Sequence, residues 1–217
     1  IDTSSDSLSD GGSVELNGQG NVQAGTIDTS SFLDAGDVNI TGADLVVGDI
    51  DAASDSSAFG NGGNVVLNGQ GNVQAGTINT SSDSYDGGNV TLRSDGDMQV
   101  TYINAQGGFS YYEGSYLYGT GGTVDISAAR LFRAISTFSD RNEVNASIAT
   151  AAPSRGGSVT IRHNGGLLAT PFTVGSDFNG SNGTQGAITT GSSNTIAQGT
   201  FPQTFTQGTS PSDIQLI

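Results

Sequence analysis

Leu16 to Ser31 reads LNGQGNVQAGTIDTSS, and Leu67 to Ser82 reads LNGQGNVQAGTINTSS. Only Asp28 against Asn79 separates them. Ahead of each copy stands a Gly-Gly-x-Val-x-Leu unit, Gly11–Leu16 and Gly62–Leu67. The unit returns at Gly87–Leu92, Gly121–Ile126 and Gly156–Ile161, in degraded form at Gly36–Ile40, and more weakly at Gly186–Ile188. The first apolar residue of the unit recurs every 24 to 35 residues, a range that is the signature of a solenoid, a propeller or an array. Val14-Glu15-Leu16 and Val124-Asp125-Ile126 alternate apolar and polar residues, which predicts strands with one buried face. A second apolar series runs Ile27, Ile50, Ile78, Ile103, and between the two lie Val22, Leu45, Val73 and Met98.

These spacings place two or three short strands in each repeat, separated by Gly/Asn/Ser/Asp turns. A leucine-rich repeat needs its Leu/Asn consensus and a WD propeller needs Trp, of which there is none. The expectation is an all-β chain: a right-handed parallel β-helix (β-solenoid) of about seven coils, one coil per repeat. Like residues then stack at about 4.8 Å per coil, giving a rod of roughly 35 Å. Val14, Val38, Val65, Val90, Val124, Val159 and Ile188 are expected to form one buried ladder, and Leu16, Ile40, Leu67, Leu92, Ile126 and Ile161 the next. The paired glycines mark corners that need φ > 0 or close backbone approach. Ser127–Thr137 is the one weak helical candidate.

Residues 1–164 read as coils with insertions at 106–120 and 138–155. Beyond Gly165 the pattern loosens, and Pro171, Pro202 and Pro211 disrupt pairing. Residues 165–217 are therefore expected to be irregular closing coils or a cap. Ile1-Asp2-Thr3-Ser4-Ser5 matches Ile27–Ser31, so the chain is expected to open part-way through a coil. Ile214-Gln215-Leu216-Ile217 is a strand-like piece expected to pair onward, end to end with another copy or with neighbouring coils of a longer chain.

Composition narrows the function. The 217 residues carry 21 acidic side chains and six Arg, with no Lys, for a net charge of −15. Residues 1–120 hold 16 of the acids and only Arg93; residues 121–217 hold five acids and five Arg. Nothing could neutralise a run of phosphates, so nucleic-acid binding is excluded. No stretch of 18 apolar residues could span a membrane as a helix. With no Cys there are no disulfides or thiolate sites. A Cys-free, Lys-free, Gly/Ser/Thr/Asn-rich acidic chain suits an exported bacterial surface protein.

The units GGNVVLNGQGNVQAGTINTSS and GGNVTLRSDGDMQVTYINAQ resemble the passenger repeats of filamentous-haemagglutinin-like exoproteins of Gram-negative bacteria, the cyanobacterial members above all. Gly156–His163, Thr170-Pro171-Phe172 and Gly186–Gly191 are similar to segments of the same proteins. The resemblance implies two-partner secretion to the outer cell surface, a β-helical shaft and a role in adhesion or aggregation. The family's secretion domain, with its Asn-Pro-Asn-Gly motif, is not among these residues, so the chain is expected to be a piece of shaft.

Parallel β-helices also host polysaccharide lyases and hydrolases. Galacturonan hydrolases of this fold need clustered Asp with His and Arg/Lys motifs, and here there is no Asp-Asp pair, no Gly-His-Gly and no Lys. Asp49, Asp51, Asp95 and Asp97 could offer the two carboxylates of a glycosidase, with Arg93 nearby, but acids are everywhere in this half. We expect no enzyme; the alternative is a polysaccharide-binding or polysaccharide-cleaving module. His163, the only histidine, reads as a surface or corner residue. If the Ile ladder points inward, Asp28 and Asp51 stack on the outside with Asp49 beside them. Carboxylates that close repel unless a cation such as calcium bridges them; solvated carboxylates are the plainer reading. Thr26, Asp49, Thr77 and Tyr102 form a neighbouring outward ladder too interrupted for an ice-binding face. The first insertion carries Phe109, Tyr111, Tyr112, Tyr116 and Tyr118, rings suited to a cell-surface glycan or protein. The same rings could instead fold back to cover the coil edge.

Overall fold

Three strands per coil, each donating one or two inward apolar residues, generate three parallel sheets that wrap one narrow core. The computed structural model describes residues 1–55, 59–191 and 194–217. On the first face, Val14–Asn17, Val38–Gly42, Val65–Gly69, Val90–Ser94, Val124–Ala128 and Val159–His163 stack in parallel and in register. The second face runs Val22–Ala24, Leu45–Val47, Val73–Gln74, Met98–Val100 and Phe132–Ala134. The third runs Ile27–Asp28, Ile50–Asp51, Ile78–Asn79, Ile103–Asn104, Asn145–Ala149 and Ala187–Gly191. The chain is a parallel β-helix, and the Val, Leu/Ile and Ile ladders are buried as their alternation requires, save Leu16 at the first rung, which is partly buried.

Ile188 does not continue the Val14 ladder. It lies on the third face against Ile148, and Ile214 takes the seventh rung of the first face, paired with Val159. The register shows why: after His163 the chain leaves the regular path. Phe172–Val174 skips one rung outward on the second face, and Gly183–Thr184 returns to fill the gap against Phe132–Ala134. Ser127–Thr137 is not helical. It holds the end of one strand and the strand Phe132–Ala134, with Phe132 stacked on Met98 and fully buried. Among the described residues the only helical turns are Gly166–Leu168 and Gly175–Asp177, both 3-10, and no helix is long and apolar enough to cross a membrane.

The last rung of each face is antiparallel. Phe205–Gln207 pairs Ile214–Leu216, Gly199–Phe201 pairs Phe172–Val174, and Asn194–Ile196 pairs Ala187–Gly191. So Ile214–Leu216 is not a free edge: Val159–His163 bonds one side and Phe205–Gln207 the other. At the opposite end, residues 1–5 lie along Asp28–Ser31, through parallel bridges at Asp2↔Asp28 and Ser5↔Ser31.

The paired glycines act by close approach. None of those in the repeat unit has φ > 0. A Cβ on Gly63, Gly88, Gly122 or Gly157 would overlap the carbonyl oxygen of the matching glycine one coil back: Gly36, Gly63, Gly88 and Gly122. The corner is locked further by a residue type that reads as polar in sequence. Thr29, Thr80 and Thr150 point inward and donate from Oγ1 to the carbonyls of Gly36, Gly88 and Gly157 at 2.7, 2.9 and 3.1 Å. Each satisfies a carbonyl that the corner would otherwise bury unpaired.

The acidic first half has a structural origin. Asp34, Asp37, Asp44 and Asp49 occupy corners of one coil. Their Oδ1 atoms accept the backbone N–H of Asn61, Asn64, Asn72 and Thr77 in the next coil at 2.7–2.8 Å. Asn64 and Asn72 pass the same bond on to Asn89 and Asp97. At these corners a carboxylate or amide oxygen takes an N–H of the next coil, as the Ser13 hydroxyl does for Asp37, and the charged acceptor gives the stronger bond.

Candidate functional site

Gly107 and Gly108 open the first insertion beside the previous coil, where the Gly108 N–H donates to the Tyr85 carbonyl at 2.7 Å and the Phe109 N–H to the Asp83 carbonyl at 3.1 Å. From there Phe109–Tyr112 and Ser115–Tyr118 form an antiparallel hairpin. Its two-residue turn is Glu113-Gly114, with φ of 47° and 84°. Both being positive, this is the primed turn that matches strand twist. The Gly119 N–H donates to the Gly108 carbonyl at 2.8 Å, so the hairpin closes at its base.

Register sorts the five rings. Phe109 faces Tyr118 and Tyr111 faces Tyr116, so these four share one side. The other side carries Ser110, Tyr112, Ser115 and Leu117; Ser110 is buried and Tyr112 meets Phe59 edge-on at 5.0 Å. Tyr112 thus belongs to the side that turns toward the rod. All five rings are 50–62% exposed, so it is register and the Phe59 contact that set Tyr112 apart from the other four. The four rings of the outward side meet through Tyr116: Tyr111–Tyr116 at 4.9 Å, Tyr116–Tyr118 stacked at 6.0 Å and Phe109–Tyr116 at 6.4 Å.

The second insertion is shorter than its spacing suggests, because Asn145–Ala149 inside 138–155 is a core strand of the third face. What projects is Phe138–Val144. Phe138–Ser139 pairs back on Asn145–Ala149, and Asp140 Oδ1 accepts the N–H groups of Asn142 and Val144. Arg141 then reaches the first insertion's neighbourhood. Its N–H donates to Gln106 Oε1 at 2.8 Å, its Nη2 donates to the Ser82 carbonyl at 2.8 Å, and it pairs with Asp83 at 3.5 Å. Both insertions are therefore moored on Ser82–Asp83. Between them lies a pocket of about 290 Å³ lined by Phe109, Arg141, Asn142, Ala151, Ala152 and Pro153.

Deleting Phe109–Tyr118 and joining Gly108 to Gly119 is expected to leave the β-rich circular dichroism intact and to cost about 1 kcal/mol, because the base is already hydrogen-bonded and the coils beneath do not depend on it. Collapse of the folded spectrum would show that the rings are structural.

The acidic candidates fall elsewhere. Asp28 and Asp51 are register partners on the outside of the third face, as their spacing predicts. Asp49 is spoken for by the Thr77 N–H. Asp28 Oδ1 accepts from the Ser30 N–H and hydroxyl, and Asp51 Oδ1 from the Ala53 N–H and the Asn79 amide. Among the described residues no group of three or more His, Cys, Asp or Glu side chains is placed to hold a metal. Asp97, from the glycosidase reading, is paired with Arg130 and Arg133 instead, and Arg93 shares Asp125 with Arg162.

Burial pushes the Asp51 carboxyl above the usual carboxylate range, and the Asp28 and Asp55 charges push it the same way. Asn104 donates to Asn79 and Asn79 to Asp51, an amide ladder that stops at this carboxylate. Asp51→Asn keeps both acceptor bonds and removes the repulsion. A carboxyl raised in the folded state costs nothing below its unfolded range, where both states are protonated; the penalty grows as pH rises from the unfolded to the raised value and is complete above it. The variant should therefore melt higher at pH 7, by about 0.5 kcal/mol after solvent screening, and match the parent near pH 3. A lower melting point of the variant in Ca²⁺ buffer would instead reveal a bridging cation.

His163 is not a plain surface residue. It is half-buried, stacks on Phe172 at 5.0 Å, and its Nδ1 meets the amide nitrogen of the buried Asn182 at 3.3 Å. Burial holds its pKa below the ordinary histidine value. Thr26, Asp49, Thr77 and Tyr102 do stack on successive coils, and Tyr102 ends the row against Phe138 at 4.8 Å.

The chain matches no protein-family model, no curated protein and no solved structure.

Proposed function

We propose that this chain is the structural shaft of a secreted, surface-exposed adhesin-like or fibre-forming protein. One observation carries the reading: three in-register parallel ladders make a rod whose length grows with coil number while its core needs few apolar residues. Such a scaffold extends a contact surface away from a cell, and the repeat units resemble filamentous-haemagglutinin-like passengers that do so. Two-partner export to the outer surface of a Gram-negative cell belongs to the same proposal. Further coils, of this chain or a second copy, would add at Val14–Asn17 and Val22–Ala24, which pair on one side only among the described residues. At the other end Phe205–Gln207, Gly199–Phe201 and Asn194–Ile196 run antiparallel to their neighbours and also pair on one side only among the described residues.

The test is adhesion of latex beads coated with the whole chain to bacterial and epithelial cells, against uncoated beads, with electron microscopy for filaments. Beads that neither adhere nor clump, from a chain that stays monomeric at high concentration, would sink the reading. The second reading, a polysaccharide-binding or polysaccharide-cleaving module, is favoured by the pocket between the insertions. Reducing ends released from neutral or acidic polysaccharide, with or without Ca²⁺, would mark the cleaving form.

A further inference from the structure

We propose that the corner where the two insertions meet binds a neutral polysaccharide chain, laid along the outward ring row of the hairpin and anchored in the pocket at its base. The inference rests on the reading of the chain as a rod that displays a contact surface, and it names the ligand of that surface.

Phe109 joins the two parts. It is the first residue of the outward row and also one of the residues that line the pocket. The ring row, through the Phe109–Tyr116 and Tyr116–Tyr118 contacts, thus adjoins the pocket at Phe109, and an extended ligand on the rings would reach it there. The pocket end supplies directional polar groups. Arg141 is held in place by the Ser82 carbonyl and Asp83, and Asn142 follows it in the turn fixed by Asp140. A sugar ring offers an apolar C–H face to an aromatic ring and hydroxyls around its rim, which matches rings flanked by an amide and a guanidinium.

Charge selects within the carbohydrates. Two cations stand here, Arg141, paired with Asp83, and the exposed Arg155, against Asp83, Asp86, Glu113, Asp140 and Glu143 on or beside the two insertions, in a chain of net charge −15. A uronic-acid or sulfated polymer would be repelled. Size argues against a protein partner. Four aromatic side chains of roughly 200 Å² each, half exposed, offer about 400 Å², against about 800 Å² per partner in a stable protein interface. Several sugar rings are covered by an area of that order.

The experiment is native affinity electrophoresis of the full chain through gels containing hydroxyethylcellulose, mannan, dextran or polygalacturonate. Tyrosine emission gives a second readout, since the chain has no Trp and four of its six Tyr lie in the hairpin. We expect retardation in at least one neutral gel and none in polygalacturonate. The same neutral polymer should change the tyrosine emission. Tyr111→Ala/Tyr116→Ala, with unchanged circular dichroism, should weaken retardation at least tenfold, and Tyr111→Phe/Tyr116→Phe should largely restore it. Retardation in no neutral gel, equal retardation in polygalacturonate, or an unaffected Ala variant would overturn the inference. Beads carrying the Ala variant separate the two readings. Undiminished adhesion would overturn the glycan inference and leave the shaft standing; retardation by a chain that stays monomeric and whose beads neither adhere nor clump would do the reverse.

Discussion

Val65→Asp is expected to open the middle of the rod under conditions where Val66→Asp leaves it folded. Val65 is fully buried between Val38 and Val90, and neither neighbouring coil offers its side chain a polar partner. A carboxylate there stays unpaired or must bind a proton, at a cost of about 4 kcal/mol. Val66 points outward between Asn39 and Thr91, and the same change should cost under about 1 kcal/mol. Because each coil touches only its neighbours, the damage should spread outward from the third coil rather than strike the whole chain evenly. Urea melts followed by circular dichroism give the two costs. Amide exchange should show the strands Val38–Gly42 and Val90–Ser94 losing protection first. Equal costs for the two substitutions would refute the register.

That register was legible because the signal is redundant. Gly-Gly-x-Val-x-Leu recurs with the same inward residues, and a one-residue slip would expose every one of them. The failures are as instructive. Ile188 follows a glycine and an alanine and so mimics the repeat, yet its place is decided by the detour at 164–183, which nothing in the local pattern announces. Ala128, Ala129 and Ala134 lend Ser127–Thr137 some helical propensity, but stacking on Met98 decides the matter in favour of a strand. The Thr corner ladder was invisible because Thr counts as polar in a hydrophobic pattern. Here its methyl and its hydroxyl are both used, one in the core and one on a carbonyl.

The candidate site was half legible. The ring cluster stood out by composition, and the two residues Glu113-Gly114 between aromatic runs carried a hairpin signal. Alternation across that turn would also have separated Tyr112 from the other four rings. The meeting of the two insertions was not legible. They leave the rod at different corners, and only the stacking of successive coils brings Arg141 to Ser82 and Asp83. The role of the acidic corner residues was not legible for a related reason. Asp37, Asp44 and Asp49 look like solvated charges in sequence, while their function as corner acceptors depends on which N–H the next coil presents.

The glycine ladder yields the other large effect. Gly88→Ala is expected to cost about 3 kcal/mol or more. The added methyl would overlap the Gly63 carbonyl, which is backbone and cannot rotate away. Relief requires the two coils to separate. Separation strains the Gly88 N–H bond to the Thr80 carbonyl and the Thr80 hydroxyl bond to the Gly88 carbonyl. It also disturbs the contact above, where Gly122 sits on the Gly88 carbonyl. Gly20 and Gly25 are the internal controls. Neither has φ > 0, and a Cβ at either meets nothing within 4 Å. Alanine there removes freedom from the unfolded chain alone, so each variant should be about 0.5 kcal/mol more stable. The sign of the change is thus set by position in the coil and not by residue type. Thermal melts of the three variants decide it. If Gly88→Ala melts with Gly20→Ala, glycine contact does not set the spacing between coils, and the repeat of Gly-Gly needs another cause.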